Sequence, residues 1–175
     1  MNRAIRFAPL VLLSIVIAAL VWRLAIPSDT SVHSTMVGKE VPDFSKADAA
    51  PGKMAFSSSD LASGQPHLVN FFASWCVPCI GEAKVLEGLK ARGVPIYGIA
   101  VRDRPEDLAN FLERNGDPYQ FITSDPQSDL QIEFGSSGVP ESFIVDRKGI
   151  IRYQKVGPIE QADVPMILSR FEQLR

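Results

Sequence analysis

Cysteine and histidine are scarce in this chain of 175 residues, which contains two of each. Cys76 and Cys79 are therefore the only residues that can form a disulfide within the chain. A structural zinc ion takes four protein ligands, and a C-x-x-C pair supplies two of them. The histidines, His33 and His67, lie far from the cysteines in sequence. We expect neither a metal site nor a bound cofactor.

A run of basic residues is also missing. The formal net charge is −2, and Arg3, Arg6, Arg23 and Asp29 contribute +2 of it, so the rest of the chain carries −4. Nucleic-acid binding has no support in such a distribution. The hydrophobic content of 46% and the charged content of 22% are typical of a folded protein. This length and composition predict one globular domain.

Only one long apolar run is present, and it lies at the N-terminus. Residues 7–26 are interrupted only by Ser14 and Arg23, and a helix of this length spans roughly 30 Å, the thickness of a bilayer's hydrocarbon core. Arg3 and Arg6 precede the run, which favours a cytoplasmic N-terminus and an exported remainder. A cleaved signal peptide is the alternative, although no A-x-A arrangement follows the apolar run. We predict an uncleaved single-pass anchor in the inner membrane.

The rest of the chain alternates between strand and helix patterns. We predict strands at 54–56, 67–73, 94–101, 119–122, 142–146 and 150–156, and helices at 78–92, 104–114, 125–134 and 161–174. After an irregular lead, the order β-α-β-α-β-α-β-β-α predicts an α/β fold with a central mixed sheet and helices on both faces. The predicted organisation is a cytoplasmic N-terminus and anchor at 1–26, a tether at 27–36 and a periplasmic domain at 37–175.

Cys76 and Cys79 lie where a buried strand passes into a helix. Thiols at i and i+3 on the first turn are close enough to form a disulfide, and the unpaired N–H groups of the helix stabilise a thiolate. A disulfide that closes so short a loop adds little stability. Exported proteins usually carry stable structural disulfides, and this chain has no other cysteines. We therefore predict a redox-active pair, with two buried structural thiols as the alternative.

Two motifs resemble those of a known family. Residues 72–79 read FASWCVPC and residues 138–141 read GVPE, and both resemble the thioredoxin superfamily. The similarity is greatest to the membrane-tethered CcmG/DsbE family of cytochrome c maturation, with its W-C-x-x-C-x-x-E and G-V-P-E-T motifs. It covers about residues 37–175 and implies a thioredoxin-like fold and thiol:disulfide oxidoreductase activity.

The resemblance implies different roles for the two cysteines. Cys76 is expected at the helix N-cap, exposed, with a lowered pKa, so that its thiolate attacks a partner disulfide. Cys79 is expected one turn further in, more buried, where it resolves the mixed disulfide. Trp75 and Pro78 complete the motif as supporting residues, and Pro78 is compatible with the first helical turn.

Two glutamates are candidates to tune these thiols. Asn70 stands where thioredoxin has a buried acid, a substitution that resembles the CcmG pattern and leaves Glu82 and Glu141 as possible modulators. Glu82 follows Cys79 by three residues, on the same helix face. A nearby carboxylate raises a thiol's pKa by charge repulsion, which suits a reductant because the thiolate of the reduced protein is destabilised. For each glutamate, the alternative is a solvated surface charge.

Pro140 precedes a predicted strand, where a proline would block ladder pairing. The resemblance implies a cis peptide bond that presents backbone beside the disulfide to an extended substrate, and a trans turn is the alternative. Ser136 and Ser137 precede Gly138, where the family often has an aromatic residue, and Ser142 replaces a threonine. These departures concern partner recognition more than chemistry.

The resemblance implies a dithiol reductant that keeps apocytochrome c, or a CcmH-like thiol protein, reduced. Electrons would come from a DsbD/CcdA-like membrane protein. A general extracytoplasmic reductase resembling TlpA or ResA shares most of these features. A DsbA-like oxidase is a further alternative, and its redox potential differs from that of thioredoxin by ~150 mV. Copper chaperones resembling Sco use a longer cysteine spacing and a distal histidine, which this chain lacks. A peroxiredoxin would have Thr or Ser where Ala73 stands.

Overall fold

The computed structural model describes residues 3–25, 36–45, 47, 49 and 52–175. The chain divides into two compact units, Met1–His33 and Ser34–Arg175. Except for Met36, the predicted tether lies outside the described residues, as does His33.

The described part of the first unit is one helix, α1, at Arg3–Ala25. Its exposed large apolar side chains are Phe7, Leu10, Leu12, Leu13, Ile15, Val16, Ile17, Leu20, Val21 and Trp22. Among the residues that the structure describes, no helix combines the length and the apolar character that crossing a bilayer requires. The predicted anchor therefore stays a prediction.

The second unit contains a five-stranded sheet and five further α-helices among its described residues. The strands are β1 (His67–Phe72), β2 (Ile96–Val101), β3 (Phe121–Asp125), β4 (Glu141–Val145) and β5 (Ile151–Val156). The helices are α2 (Ser58–Leu61), α3 (Val77–Ala91), α4 (Pro105–Asn115), α5 (Asp129–Glu133) and α6 (Val164–Leu174), the last preceded by a 3₁₀ turn at Gln161–Asp163.

The sheet is mixed, with the strand order β3-β2-β1-β4-β5. The pairs β1–β2 and β2–β3 are parallel, whereas β1–β4 and β4–β5 are antiparallel. Every residue of the central strand β1 is buried, because helices or coil cover both faces of the sheet. The prediction of a mixed sheet between two helical layers is confirmed.

Alternation along β1 divides the interior into two cores. Leu68 and Phe72 face the core that receives α3, α4 and α6, and that core also contains both cysteines. Val69 and Phe71 face the opposite core, which receives Leu61 of α2 and a cluster of phenylalanines. A residue's position in a strand therefore decides whether it faces the cysteines.

The short strand predicted at 54–56 is wrong. Met54 and Phe56 lie in extended coil, where the Met54 carbonyl accepts from the N–H of Ile122 at 3.1 Å. The next hydrogen bond to β3 involves a side chain instead of the backbone, because the Phe56 N–H donates to Thr123 Oγ1 at 2.9 Å. Because these bonds do not continue as a backbone ladder, the segment lies along the edge of the sheet without joining it.

Candidate active site

The two cysteines lie at the join between β1 and α3, the centre of the fold. Cys76 is the N-cap of α3, and its sulfur accepts a hydrogen bond from the backbone N–H of Cys79 at 3.3 Å. Pro78 lies in the first turn, where its missing N–H leaves no helical hydrogen bond unmade. The cysteines form a disulfide with their Cα atoms 5.3 Å apart, a usual separation.

The expected exposure of Cys76 is wrong for this disulfide form. Cys76 is 4% exposed and Cys79 is 3% exposed, so both belong to the core against which the partly buried Val139 packs. The cap position turns the Cys76 sulfur inward toward the second cysteine. The exposed side chains around the pair include the apolar Trp75, at 57%, and Val77, at 76%.

A buried polar network around Asn70 and Glu82 links five parts of the second unit. The Asn70 amide donates to Ser142 Oγ at 2.9 Å and to Glu82 Oε2 at 3.3 Å. The Tyr119 hydroxyl donates to Asn70 Oδ1 at 2.8 Å, and the Ile159 N–H donates to Glu82 Oε1 at 2.8 Å. Glu82 is 2% exposed, so its interpretation as a solvated surface charge is wrong.

Glu82 has the electrostatics of a proton-exchanging group. Burial raises its pKa to about 7, and this effect outweighs the Ile159 N–H, the Asn70 amide and the charge of Lys155, which all favour the carboxylate. Near neutral pH, Glu82 is therefore present in both protonation states. Side chains three residues apart on a helix are neighbours, so the carboxyl group lies one turn from Cys79. A buried acid with this pKa beside a thiol is suited to general acid–base work.

Glu141 is buried too, but on the other face of the sheet. It pairs with Phe71 across β1 and β4, and residues paired in this way point to the same side. Its carboxylate accepts from the Ser137 N–H at 2.7 Å, from Ser136 Oγ at 2.9 Å and from the Gln154 amide. Glu141 therefore faces the core opposite to the one that contains the cysteines. Its burial shows that its interpretation as a surface charge is wrong, whereas its effect on the thiols stays a prediction.

These contacts also give Glu141 a structural role. It fixes the segment that leads into Val139–Pro140, whose peptide bond is cis, as the family resemblance implied. Ser136 and Ser137 are two of its hydrogen-bond donors. The serines that depart from the family pattern thus satisfy a buried carboxylate.

Sequence reasoning missed Tyr119 and Ile159 as parts of the site. Tyr119 lies just before β3, and burial raises the pKa of its hydroxyl well above the ordinary value, so it remains a donor to Asn70. Ile159 contributes only a backbone N–H, which its side chain does not reveal. Neither residue carries a signal in motif or spacing, because both reach the site through tertiary structure.

In the part of the chain that the structure describes, no group of three or more His, Cys, Asp or Glu residues is arranged to hold a metal ion. His67 is the first residue of β1, and Cys76 follows the opposite end of that strand. The His67 ring is buried and packs against Tyr97, with ring centroids 4.5 Å apart.

Comparisons with known proteins agree with this geometry. Residues 36–168 match the family model described as Redoxin. The chain is 35% identical to the thiol:disulfide interchange protein DsbE homolog of Paracoccus denitrificans, covering 90% of each chain. It is 32% identical to the thiol:disulfide interchange protein HelX of Rhodobacter capsulatus, covering 92% of this chain and 91% of that one. A crystal structure of a thiol:disulfide interchange protein of the thioredoxin family from Chlorobium tepidum is 30% identical, with a TM-score of 0.58 over 75% of this chain and 94% of that chain.

Proposed function

The chain belongs to the redoxin family and, within it, to the DsbE thiol:disulfide interchange proteins, and on that premise we propose that it is a dithiol reductant in cytochrome c maturation. It is a thiol:disulfide oxidoreductase, and its only cysteines form the disulfide at the N-terminus of α3. The proposed clients are the cysteines of apocytochrome c or of a CcmH-like thiol protein outside the cytoplasm.

The proposed reaction transfers two electrons from the protein to a client disulfide. The Cys76 thiolate attacks one client sulfur, forming a mixed disulfide and releasing the other client sulfur as a thiolate. Cys79 then loses its proton and attacks the Cys76 sulfur. This step forms the disulfide between the two cysteines and releases the second client thiolate. A DsbD/CcdA-like membrane protein is the proposed donor of the two electrons that restore the dithiol.

The observation that carries a reducing direction is the burial of Glu82 one helical turn from Cys79. A strong oxidant of the DsbA type stabilises its reduced form. A carboxylate near the thiols acts in the opposite sense, because its charge disfavours the thiolate and so destabilises the reduced protein. With a pKa of about 7, Glu82 is also able to accept the proton of Cys79 during the resolving step.

We also propose that the N-terminal segment anchors the domain in the inner membrane, with the cysteines on the periplasmic side. The apolar sequence of residues 7–26 and the arginines before it support this topology. Alkaline carbonate extraction tests the proposal. The protein should stay with the membrane pellet, and its quantitative release would contradict an anchor.

The direction of electron transfer is tested with a peptide that carries an oxidised C-x-x-C-H sequence, the attachment motif of c-type haem. Pre-reduced protein should convert it to the dithiol and become oxidised in equal amount, as measured by thiol alkylation and mass spectrometry. An unrelated disulfide peptide is the control. Equal rates with the two peptides would favour the general reductase. The proposal would be contradicted if the oxidised protein oxidised the dithiol peptide while the reduced protein failed to reduce the disulfide peptide.

A further inference from the structure

A groove of about 800 Å³ opens at the start of α3, lined by Ser74 and Trp75 before the two cysteines and by Ile80 after them. Its lining combines the exposed apolar Trp75 and Ile80 with the turn between β2 and α4 and one side of α4. That second wall supplies three arginines, Arg102, Arg104 and Arg114. A partner that reaches Cys76 from this side therefore meets both apolar surface and positive charge.

The turn between β2 and α4 is hydrogen-bonded to the two residues that precede Cys76. The indole N–H of Trp75 donates to the carbonyl oxygen of Arg102 at 3.3 Å. The N–H and hydroxyl of Ser74 donate to the Asp103 carboxylate at 2.5 and 2.6 Å. Arg102 has a φ of 48°, in the left-handed region that residues other than glycine rarely adopt. These contacts hold the turn beside the disulfide in one uncommon conformation.

The charges of the groove do not cancel within it. Its three arginines outnumber Asp103 and Asp107, which leaves a net charge of +1. Asp107 pairs with Arg104 at 2.6 Å, and the Asp103 carboxylate accepts from the N–H and the hydroxyl of Ser74. Arg102 and Arg114 form no salt bridge with any residue that the structure describes. Beyond residue 30 the chain has 15 basic and 19 acidic residues, so this positive wall is a local departure from an acidic protein.

We propose that the groove recognises an extended segment of a partner protein in which Asp or Glu lies next to the reactive cysteine. The apolar rim contacts the segment around its cysteine, while Arg102 and Arg114 attract the carboxylate. Complementary charges act mainly on specificity and on the rate of encounter, the properties that separate clients from other disulfides. The inference rests on the proposed function, because it assumes that Cys76 attacks the partner.

The test uses the Cys79→Ser variant, in which the mixed disulfide is not resolved. Three peptides carry one cysteine each, activated as a mixed disulfide with thionitrobenzoate, and differ only in having Asp, Asn or Lys on both sides of that cysteine. The release of thionitrobenzoate gives the rate of attack by Cys76. At low salt the Asp peptide should react on the order of fivefold faster than the Lys peptide. This ratio should shrink in 0.5 M salt, because screening weakens exposed charge pairs.

Two further variants locate the effect. When Arg102→Gln and Arg114→Gln are both introduced into the Cys79→Ser variant, the Asp and Lys peptides should react at nearly equal rates. Arg92→Gln removes an exposed arginine at the other end of α3 and should leave the ratio unchanged. A ratio near one in the parent variant, or one that survives loss of both groove arginines, would overturn the inference. If none of the peptides reacts, the proposed role of Cys76 fails as well.

Discussion

A Cys79→Ser variant is expected to accumulate a mixed disulfide between Cys76 and its client, whereas Cys76→Ser should lose thiol exchange altogether. The sulfur of Cys76 caps α3 and accepts the Cys79 N–H, so the helix terminus stabilises its thiolate. Removing an enzyme's nucleophile costs on the order of 10³-fold or more. Insulin reduction measures the loss, and non-reducing electrophoresis measures the trapped species.

The double variant, with both cysteines changed to serine, is the matched control and should trap nothing. Trapping by Cys76→Ser through Cys79 would reverse the roles assigned to the two sulfurs. The identity of the trapped protein in native membranes also bears on the client. Capture of apocytochrome c or a CcmH-like protein supports the proposed function. Capture of many unrelated exported proteins supports a general reductase.

Glu82→Gln is expected to slow the resolving step by about 100-fold at neutral pH, within the usual range for loss of a general base. The amide keeps the side chain's size but cannot accept the proton of Cys79. The wild-type rate should show a titration near pH 7, which the variant should lack. Rapid-quench measurement of mixed-disulfide decay gives both results, and a retained titration would assign it to another group.

The same substitution should alter the pH dependence of stability. Glu82 has an ordinary pKa of 4.5 when unfolded and about 7 when folded, so between these values the native state holds a proton that the unfolded chain has lost. The free energy of unfolding therefore falls as pH rises from 4.5 to 7. Each pKa unit corresponds to about 1.36 kcal/mol, so the free energy of unfolding decreases by about 3 kcal/mol over this range.

Glutamine has no such titration. Urea unfolding should therefore show the variant gaining about 3 kcal/mol relative to wild type between pH 4.5 and 7.5. Glu113→Gln, at an exposed site on α4, should follow the wild-type curve. Parallel curves for wild type and Glu82→Gln would mean that Glu82 titrates as an ordinary glutamate.

The backbone plan of the domain was predictable because its signals are local. The apolar run that begins at His67 predicts a buried central strand, and Pro78 and Gly93 mark the limits of the helix that follows it. The proximity of the two cysteines also depends only on local spacing. Each of these features is decided within about 15 residues, so no tertiary knowledge is needed.

The environment of the polar residues was not predictable in the same way. The face on which Glu141 lies depends on strand register, and a shift of one residue exchanges the two faces. Glu82 belongs to a residue type that is almost always exposed, and its burial depends on an N–H from Ile159, 77 residues away. Cys76 is likewise buried in a core that includes residues of α4 and α6, which are distant from it in sequence. Such contacts exist only once the whole domain is assembled.

The central claim is that Cys76 and Cys79 form an exchangeable pair that works as a reductant. The equilibrium redox potential of this pair, measured in glutathione or dithiothreitol buffers, tests it most directly. We expect a value at or below about −200 mV, nearer to thioredoxin's ~−270 mV than to the ~−120 mV of DsbA. A potential near that of DsbA would contradict the account, because the protein would then withdraw electrons from its clients.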